Sequence, residues 1–258
     1  MPDVGRTKQA KEFRTLLNLG SYPVGVKLYE RASEAADVKC ANPLRSTAVC
    51  HMLALSRHYR EDGICTSTAQ GMKCLWGLAS LGIIRSPERL VKGELNRPFT
   101  KDDEAAKALQ DSIFMLGNEG ARYGGLLTAP LDLMPVIPDV IVAYLTPGQA
   151  LKVLLGYEYA EGKVLRNATI AAQSSVCSAI AKVISGDDIV LDIPCVGDRT
   201  WGLVTDDQLV MAFSPHIFDK LIEGMRATDG FSSHPFKPFL NWPVLFPPSM
   251  EPRGKELE

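Results

Sequence analysis

No C-x-x-C pair joins any two of the six cysteines in this 258-residue chain, Cys40, Cys50, Cys65, Cys74, Cys177 and Cys195. Zinc-ribbon and thioredoxin signatures are therefore excluded, and the lack of C-x-x-C-H excludes covalent haem attachment. There is no uninterrupted apolar run of about 18 residues, so no membrane span is expected. The segment Met1 to Arg14 is polar and charged, without the apolar core of a signal peptide. An excess of charge is also missing. The 28 basic residues stand against 30 acidic ones, with no local basic run, which leaves no electrostatic case for nucleic acid or a membrane surface. G-x-G-x-x-G, a terminal Gly-Lys-Ser/Thr and G-x-S-x-G are all absent, so neither a phosphate loop nor Ser/His/Asp catalysis has a supporting motif. A cytoplasmic protein is the expectation, and in a reducing compartment its cysteines should be thiols or ligands rather than disulfides.

What remains is an ordinary globular composition, 46% apolar and 22% charged, in a chain long enough for one large domain or two intimately packed halves. Within it Ala-Gln-x-x-x-Cys occurs twice, at Ala69-Gln70-Cys74 and Ala172-Gln173-Cys177. Each copy opens an apolar, small-residue stretch closed by glycine, at Gly82 and Gly186. Two thiols in related segments suggest a duplicated scaffold.

The order of elements fits that view. Residues 1–20 read as a helix with Phe13, Leu16, Leu17 and Leu19 apolar, and 23–29 as a strand by the alternation of Val24, Val26 and Leu28. Lys27 alternates with that apolar side and is expected to face solvent. A helix follows over 46–59, capped by Ser46 or Thr47 and ended by Asp62-Gly63, then a second helix carrying Cys74. A charged stretch over 85–107 leads into a helix over 103–116 and a glycine-rich turn over 117–125. The second half offers a strand over 138–145 and helices over 149–157 and around Cys177. Strands over 189–194 and 208–213 come next, joined by a turn at Gly197-Asp198-Arg199, and then a helix over 216–225. From Gly230 onward Phe231, Phe236, Phe239, Trp242 and Phe246 are interleaved with prolines. Proline prevents helix there, and the aromatics need burial, which suggests a strap across the domain or a partner subunit.

Chemistry concentrates in the cysteines. Cys50 and Cys177, and also Cys74, fall in the first turns of helices, where unpaired N–H groups and the dipole favour a thiolate. Cys195 follows Pro194 at a strand end and precedes Gly197, where backbone amides can approach a ligand. Four thiolates from four segments suit an iron–sulfur cluster, and a tetrahedral structural zinc is the runner-up. Free cysteine is also a common core residue. Arg199 in the turn offers a planar fork for a carboxylate or phosphate, with an internal ion pair as the alternative. His51 and His58 share a helix face, and partly exposed surface positions explain them better than a ligand or acid–base role does. Asn167-Ala168-Thr169 matches a sequon that matters only after secretion.

Several stretches together resemble the domain of unknown function 169 family. They are Pro130-Leu131, Pro138-Asp139-Val140, Thr146-Pro147-x-Gln149-Ala150, Tyr157-x-Tyr159-x-x-Gly162, Ser174-Ser175-Val176-Cys177 and Cys195-Val-Gly197-Asp198-Arg199. Pro23-Val-Gly-Val-Lys-Leu28, Cys50 and Cys74-x-x-Gly77-x-x-x-Leu81-Gly82 extend the likeness over most of 21–215. The resemblance implies a soluble prokaryotic protein whose pattern carries cysteines matching Cys50, Cys74, Cys177 and Cys195. Cys40 and Cys65 match no position and fit structural roles better.

The expectation is then an α+β protein of two pseudo-repeated strand–helix–helix halves, about 21–116 and 126–228. These form one compact domain within 1–250, with a Pro/aromatic strap and tail over 229–258. An iron–sulfur cluster on Cys50, Cys74, Cys177 and Cys195 is the leading function, in a redox enzyme or its accessory. Gly197 and Arg199 would sit at the cofactor, with a small molecule or redox partner protein as partner and a homodimer formed through the strap. Two alternatives stay open. One is a non-catalytic small-molecule or sensing module with structural cysteines, and the other is a single low-pKa cysteine nucleophile at Cys177 or Cys195.

Overall fold

The computed structural model describes residues 4–169 and 171–229. In chain order its elements are α1 (Val4–Leu16), β1 (Val24–Tyr29), α2 (Ala32–Ala36), β2 (Asn42–Pro43), α3 (Val49–His58), β3 (Cys65–Thr68) and α4 (Leu75–Ser80). Next come α5 (Glu88–Val91), α6 (Asp103–Ser112), β4 (Gly125–Pro130), β5 (Val140–Leu145) and α7 (Pro147–Glu161). The last five are α8 (Ser175–Ile184), β6 (Ile189–Asp192), α9 (Val196–Trp201), β7 (Leu209–Phe213) and α10 (Phe218–Ala227). The protein is a mixed α+β fold whose seven strands form one sheet in the order β2-β3-β4-β1-β5-β7-β6. β2 and β3 run parallel, and every other neighbouring pair is antiparallel.

Local chemistry accounts for the clearest elements. α7 starts with Pro147 and a Thr146/Gln149 capping box, and it ends on Gly162 at φ 63°, the left-handed position where glycine is favoured. Strands β4 and β5 are buried at every residue, because helices cover both sheet faces and near-continuous apolar runs are then tolerated. Alternate side chains divide the core in two. Val24, Val26, Val140, Val142, Val210 and Ala212 pack with Val49, Met52 and Leu53 of α3, Leu78 of α4 and Val176, Ile180 and Val183 of α8. On the opposite face Ile141, Ala143, Met211 and Phe213 pack with Phe13 and Leu17 of α1, Val153 and Tyr157 of α7 and Leu221, Ile222 and Met225 of α10. The result is three layers, helices on either side of the sheet.

The strand order reads the same outward from its centre in both directions. From β1 it runs β4, β3, β2. From β5 it runs β7, β6 and then an isolated parallel bridge from Ala168 to Leu191. Helices interleave correspondingly. In sequence α3 precedes β3 and α4 follows it, while α8 precedes β6 and α9 follows it.

Several expectations need correction. β4 lies inside the span expected for the second half, yet it pairs with β1 and β3. The expected turn at Gly197-Asp198-Arg199 is the helix α9. The first residue outside α3 is Ala48, with no side-chain cap, instead of Ser46 or Thr47. Lys27 does not simply face water; its Nζ pairs with Asp139 at 2.6 Å. Asp139 is drawn there because it also accepts the Leu28 N–H at 2.8 Å. The aromatic strap, any homodimer through it, and His234 lie outside the described residues. No helix among those described is long and apolar enough to cross a membrane.

Candidate functional site

On the sheet face shared by α3, α4 and α8, four cysteines stand at helix starts. Cys50 and Cys177 are the second and third residues of the ten-residue helices α3 and α8, whereas Cys74 and Cys195 are the N-caps of the six-residue helices α4 and α9. Ala-Gln-x-x-x-Cys therefore pairs unlike places, because Ala69-Gln70 lies in a turn after β3 and Ala172-Gln173 in a bend before α8. By position in the sheet order, Cys50 corresponds to Cys177 and Cys74 to Cys195.

Two glycines report how closely the sulfurs gather. A methyl group on Gly197 would stand 3.6 Å from Cys195 Sγ and 3.7 Å from Cys50 Sγ. Those sulfurs are thus no farther apart than the sum of the two distances, close to the roughly 6–7 Å between thiolates on one compact cluster. A methyl on Gly77 would lie 3.6 Å from Cys177 Sγ and 3.8 Å from Cys74 Cβ. Bare glycine backbone faces the thiols on both sides. Among the described residues, no group of three or more His, Cys, Asp or Glu side chains is arranged to hold a metal ion.

Burial dominates the electrostatics. It pushes the Cys50, Cys74, Cys177 and Cys195 thiols upward, and it is the largest cause in each case. Cys177 is pushed further by the other three thiols and by Asp198. Opposing this, backbone N–H groups of Gly77 and Trp76 favour the Cys74 thiolate, as those of Asp198 and Ser175 do for Cys195. The expectation of helix-start thiolates is thus corrected, because loss of water outweighs the helix ends.

Asp198 organises one side of the site. Its carboxylate is fully buried and accepts from the Tyr144 hydroxyl at 2.9 Å and the Ser175 hydroxyl at 3.1 Å. It also accepts the Cys195 N–H at 3.3 Å, and the Cys195 thiol lies 3.5 Å away. The Arg57 guanidinium stacks 4.3 Å over the Tyr144 ring and is only 2% exposed. Its Nη2 donates to the Leu203 carbonyl at 2.7 Å, and Nη1 has no partner. A buried carboxylate thus faces a buried guanidinium across a phenol ring.

Backbone strain collects here as well. Of the four non-glycine residues at positive φ among the described residues, Ser46 precedes α3, Ser174 caps α8 and Leu203 follows α9. Such conformations cost about 1–3 kcal/mol each and cluster at functional sites. Four residues before Cys177, the buried Gln173 amide leaves both its nitrogen and its oxygen unpartnered.

The structure therefore brings Cys50, Cys74, Cys177, Cys195 and Gly197 together. Arg199 goes elsewhere: it is exposed and ion-paired with Asp206. Cys65 is buried in β3 and Cys40 is exposed. His51 is exposed and hydrogen-bonds Thr47 at 3.1 Å, His58 accepts from Arg57 Nε at 2.8 Å, and His216 pairs with Asp188. Sequence reasoning missed Arg57, Tyr144 and Ser175, and it placed Asp198 in a turn, beside Arg199, as part of an anion-binding candidate. Val49-Cys50 and Val176-Cys177 repeat the same dipeptide, each shortly after a serine at positive φ.

Fold and site together define a three-layer α+β protein with four thiols grouped on one sheet face. The profile of one family, domain of unknown function 169, described as "Uncharacterised ArCR", matches residues 12–224, and the chain belongs to that family. It is also similar to Uncharacterized protein MJ0308 of Methanocaldococcus jannaschii, at 28% identity over 180 residues covering 69% of this chain and 75% of that protein. No solved structure matches it.

Proposed function

We propose that this chain is a cofactor-binding protein holding an iron–sulfur cluster through Cys50, Cys74, Cys177 and Cys195. The observation carrying the reading is the grouping of four thiols, each at a helix start, around the bare backbone of Gly77 and Gly197. Once bound, such a cluster supplies one-electron chemistry at a potential set by its surroundings. The chain's own residues would hold the site dry and fixed. Cys50, Cys177 and Cys195 are each under 8% exposed. Asp198 positions Cys195 through its backbone and thiol, and Arg57 balances the Asp198 charge. The unpartnered Gln173 amide fits an adjacent polar group. Zinc is the weaker candidate, since the sequence has no close C-x-x-C pair.

The mirrored strand order supports a further reading, that the two halves descend from one duplicated unit. In it Cys50 pairs with Cys177 and Cys74 with Cys195, which would place the cluster near the axis relating the halves. A redox partner protein is the implied partner, and a reducing cytoplasm the implied compartment.

The test is iron and labile-sulfide analysis of the full chain purified without oxygen. Iron and sulfide in comparable amounts, with broad absorption in the visible-blue range, are expected, and Cys→Ser changes at the four positions should lower both. Colourless protein that takes up neither after anaerobic reconstitution would sink the proposal, as would stoichiometric zinc. A small-molecule module with structural cysteines is the second reading, favoured by the cavity that opens beside Cys74.

A further inference from the structure

That cavity has a volume of about 460 Å³, and Cys74 forms part of its wall. Pockets for small molecules span roughly 300–1,000 Å³, so its size suits a ligand of one or two rings. Lys73, Arg89 and His51 line it, and among the described residues no carboxylate does. Lys73 and Arg89 are exposed, and no ion pair engages either of them there. In a chain with more acidic than basic residues, two cations lining one cavity, with no ion pair among the described residues, form a local electropositive site. The lining is also aromatic, with Trp76 and Trp201. Trp201 is 53% exposed, a large apolar area to leave in water without a partner. The Trp76 indole nitrogen is buried and has no hydrogen-bond acceptor. Ser46, held at φ 55°, also lines the cavity.

We infer that this cavity binds a small planar aromatic carboxylate, its anion held by Lys73 and Arg89 and its ring against Trp76 and Trp201. The basic and the aromatic side chains of the lining are each complementary to one part of such a molecule. Guanidinium offers a carboxylate two parallel N–H donors, ammonium adds a point charge, and indole faces accept a stacked ring. The ligand would lie against the Cys74 corner of the thiol site, but its binding does not rest on the presence of a cluster.

The test is calorimetric titration of the full chain with 2-naphthoate and with its neutral counterpart 2-naphthamide. Saturable binding of the carboxylate that weakens with added salt is expected, with the amide at least tenfold weaker. The double variant K73Q/R89Q, altering two exposed side chains, should weaken naphthoate at least tenfold while leaving the melting temperature unchanged. Trp201→Ala should weaken it severalfold. Absence of saturable heat, equal affinity for amide and carboxylate, or undiminished binding by K73Q/R89Q would overturn the inference. The two proposals fail separately. Iron-free, colourless protein that binds naphthoate removes the cluster and leaves the pocket, whereas brown protein that does not bind it removes the pocket alone.

Discussion

Asp192, at the end of β6 and three residues before Cys195, sets a pH dependence of stability that a single substitution isolates. It is 1% exposed, and burial raises its carboxyl from 3.8 to about 7. It accepts the Ile193 N–H at 2.7 Å and the Thr169 hydroxyl, but these bonds recover only part of the lost hydration. In the unfolded chain the group loses its proton near pH 4, and in the fold only near pH 7. Between those values the folded state binds more protons than the unfolded one, so stability falls as pH rises, and it levels off above about 7. At about 1.4 kcal/mol per pH unit, the whole span amounts to roughly 4 kcal/mol and the part between pH 5 and 8 to about 2–3 kcal/mol. Asp192→Asn removes the titration and keeps an acceptor for Ile193. The expected result is a variant that gains on the native chain by about 2–3 kcal/mol between pH 5 and pH 8, read as roughly 5 °C in the difference of melting temperatures. Because only the difference is read, other titrating groups cancel. A melting-temperature difference that is constant across this range, or that moves the other way, refutes the account of Asp192.

Gly197→Ala would put a methyl 3.6–3.7 Å from two sulfurs. It should cut anaerobically assayed iron and sulfide at least by half with the circular dichroism unchanged; full loading would show that the bare backbone is not needed there. Tyr144→Phe removes a buried donor 2.9 Å from the Asp198 carboxylate, and chemical denaturation should show a loss of about 1.5–3 kcal/mol, the range for hydrogen bonds to charged groups. No loss would mean that Asp198 is satisfied without the phenol.

The fold was legible where burial leaves a periodic trace. β1 showed itself by Val24, Val26 and Leu28, and α8 by a continuous apolar stretch after Cys177. β3 escaped because Cys65-Thr-Ser-Thr68 is mostly polar, and it is buried only because partners satisfy its hydroxyls, as Leu44 O does for Ser67 at 3.1 Å. β4 escaped because a strand covered on both faces has no alternation, and because Gly125 at its start continues the preceding glycine run. α9 was read as a turn because of Gly197, whose role is the approach to two sulfurs. The thiols were legible as a set of helix-start cysteines, but Ala-Gln-x-x-x-Cys matches a turn to a bend and so does not report where they sit. Their places depend on strand order, and strand order is decided by contacts far apart in sequence, such as Val24 against Val142 across the centre of the sheet.

The same opposition of effects bears on what the four thiols can do. A helix start favours an anion by about 0.3–1 kcal/mol, whereas burying an ionised group without a partner costs several. All four thiols are driven upward, so the second effect wins at each. A lone nucleophile at Cys177 or Cys195 needs a thiolate near neutral pH, and neither position supplies the cation that would produce one. Nor can Arg57 serve all four, since it lies over Tyr144 and is coupled to Asp198. Four thiolates beside the Asp198 carboxylate would leave one buried guanidinium facing several anions. The proposed cluster would reverse that balance, because a cationic centre binds thiolates outright and releases their protons. Under the proposed cluster, the burial that raises these thiols would also keep the centre away from water.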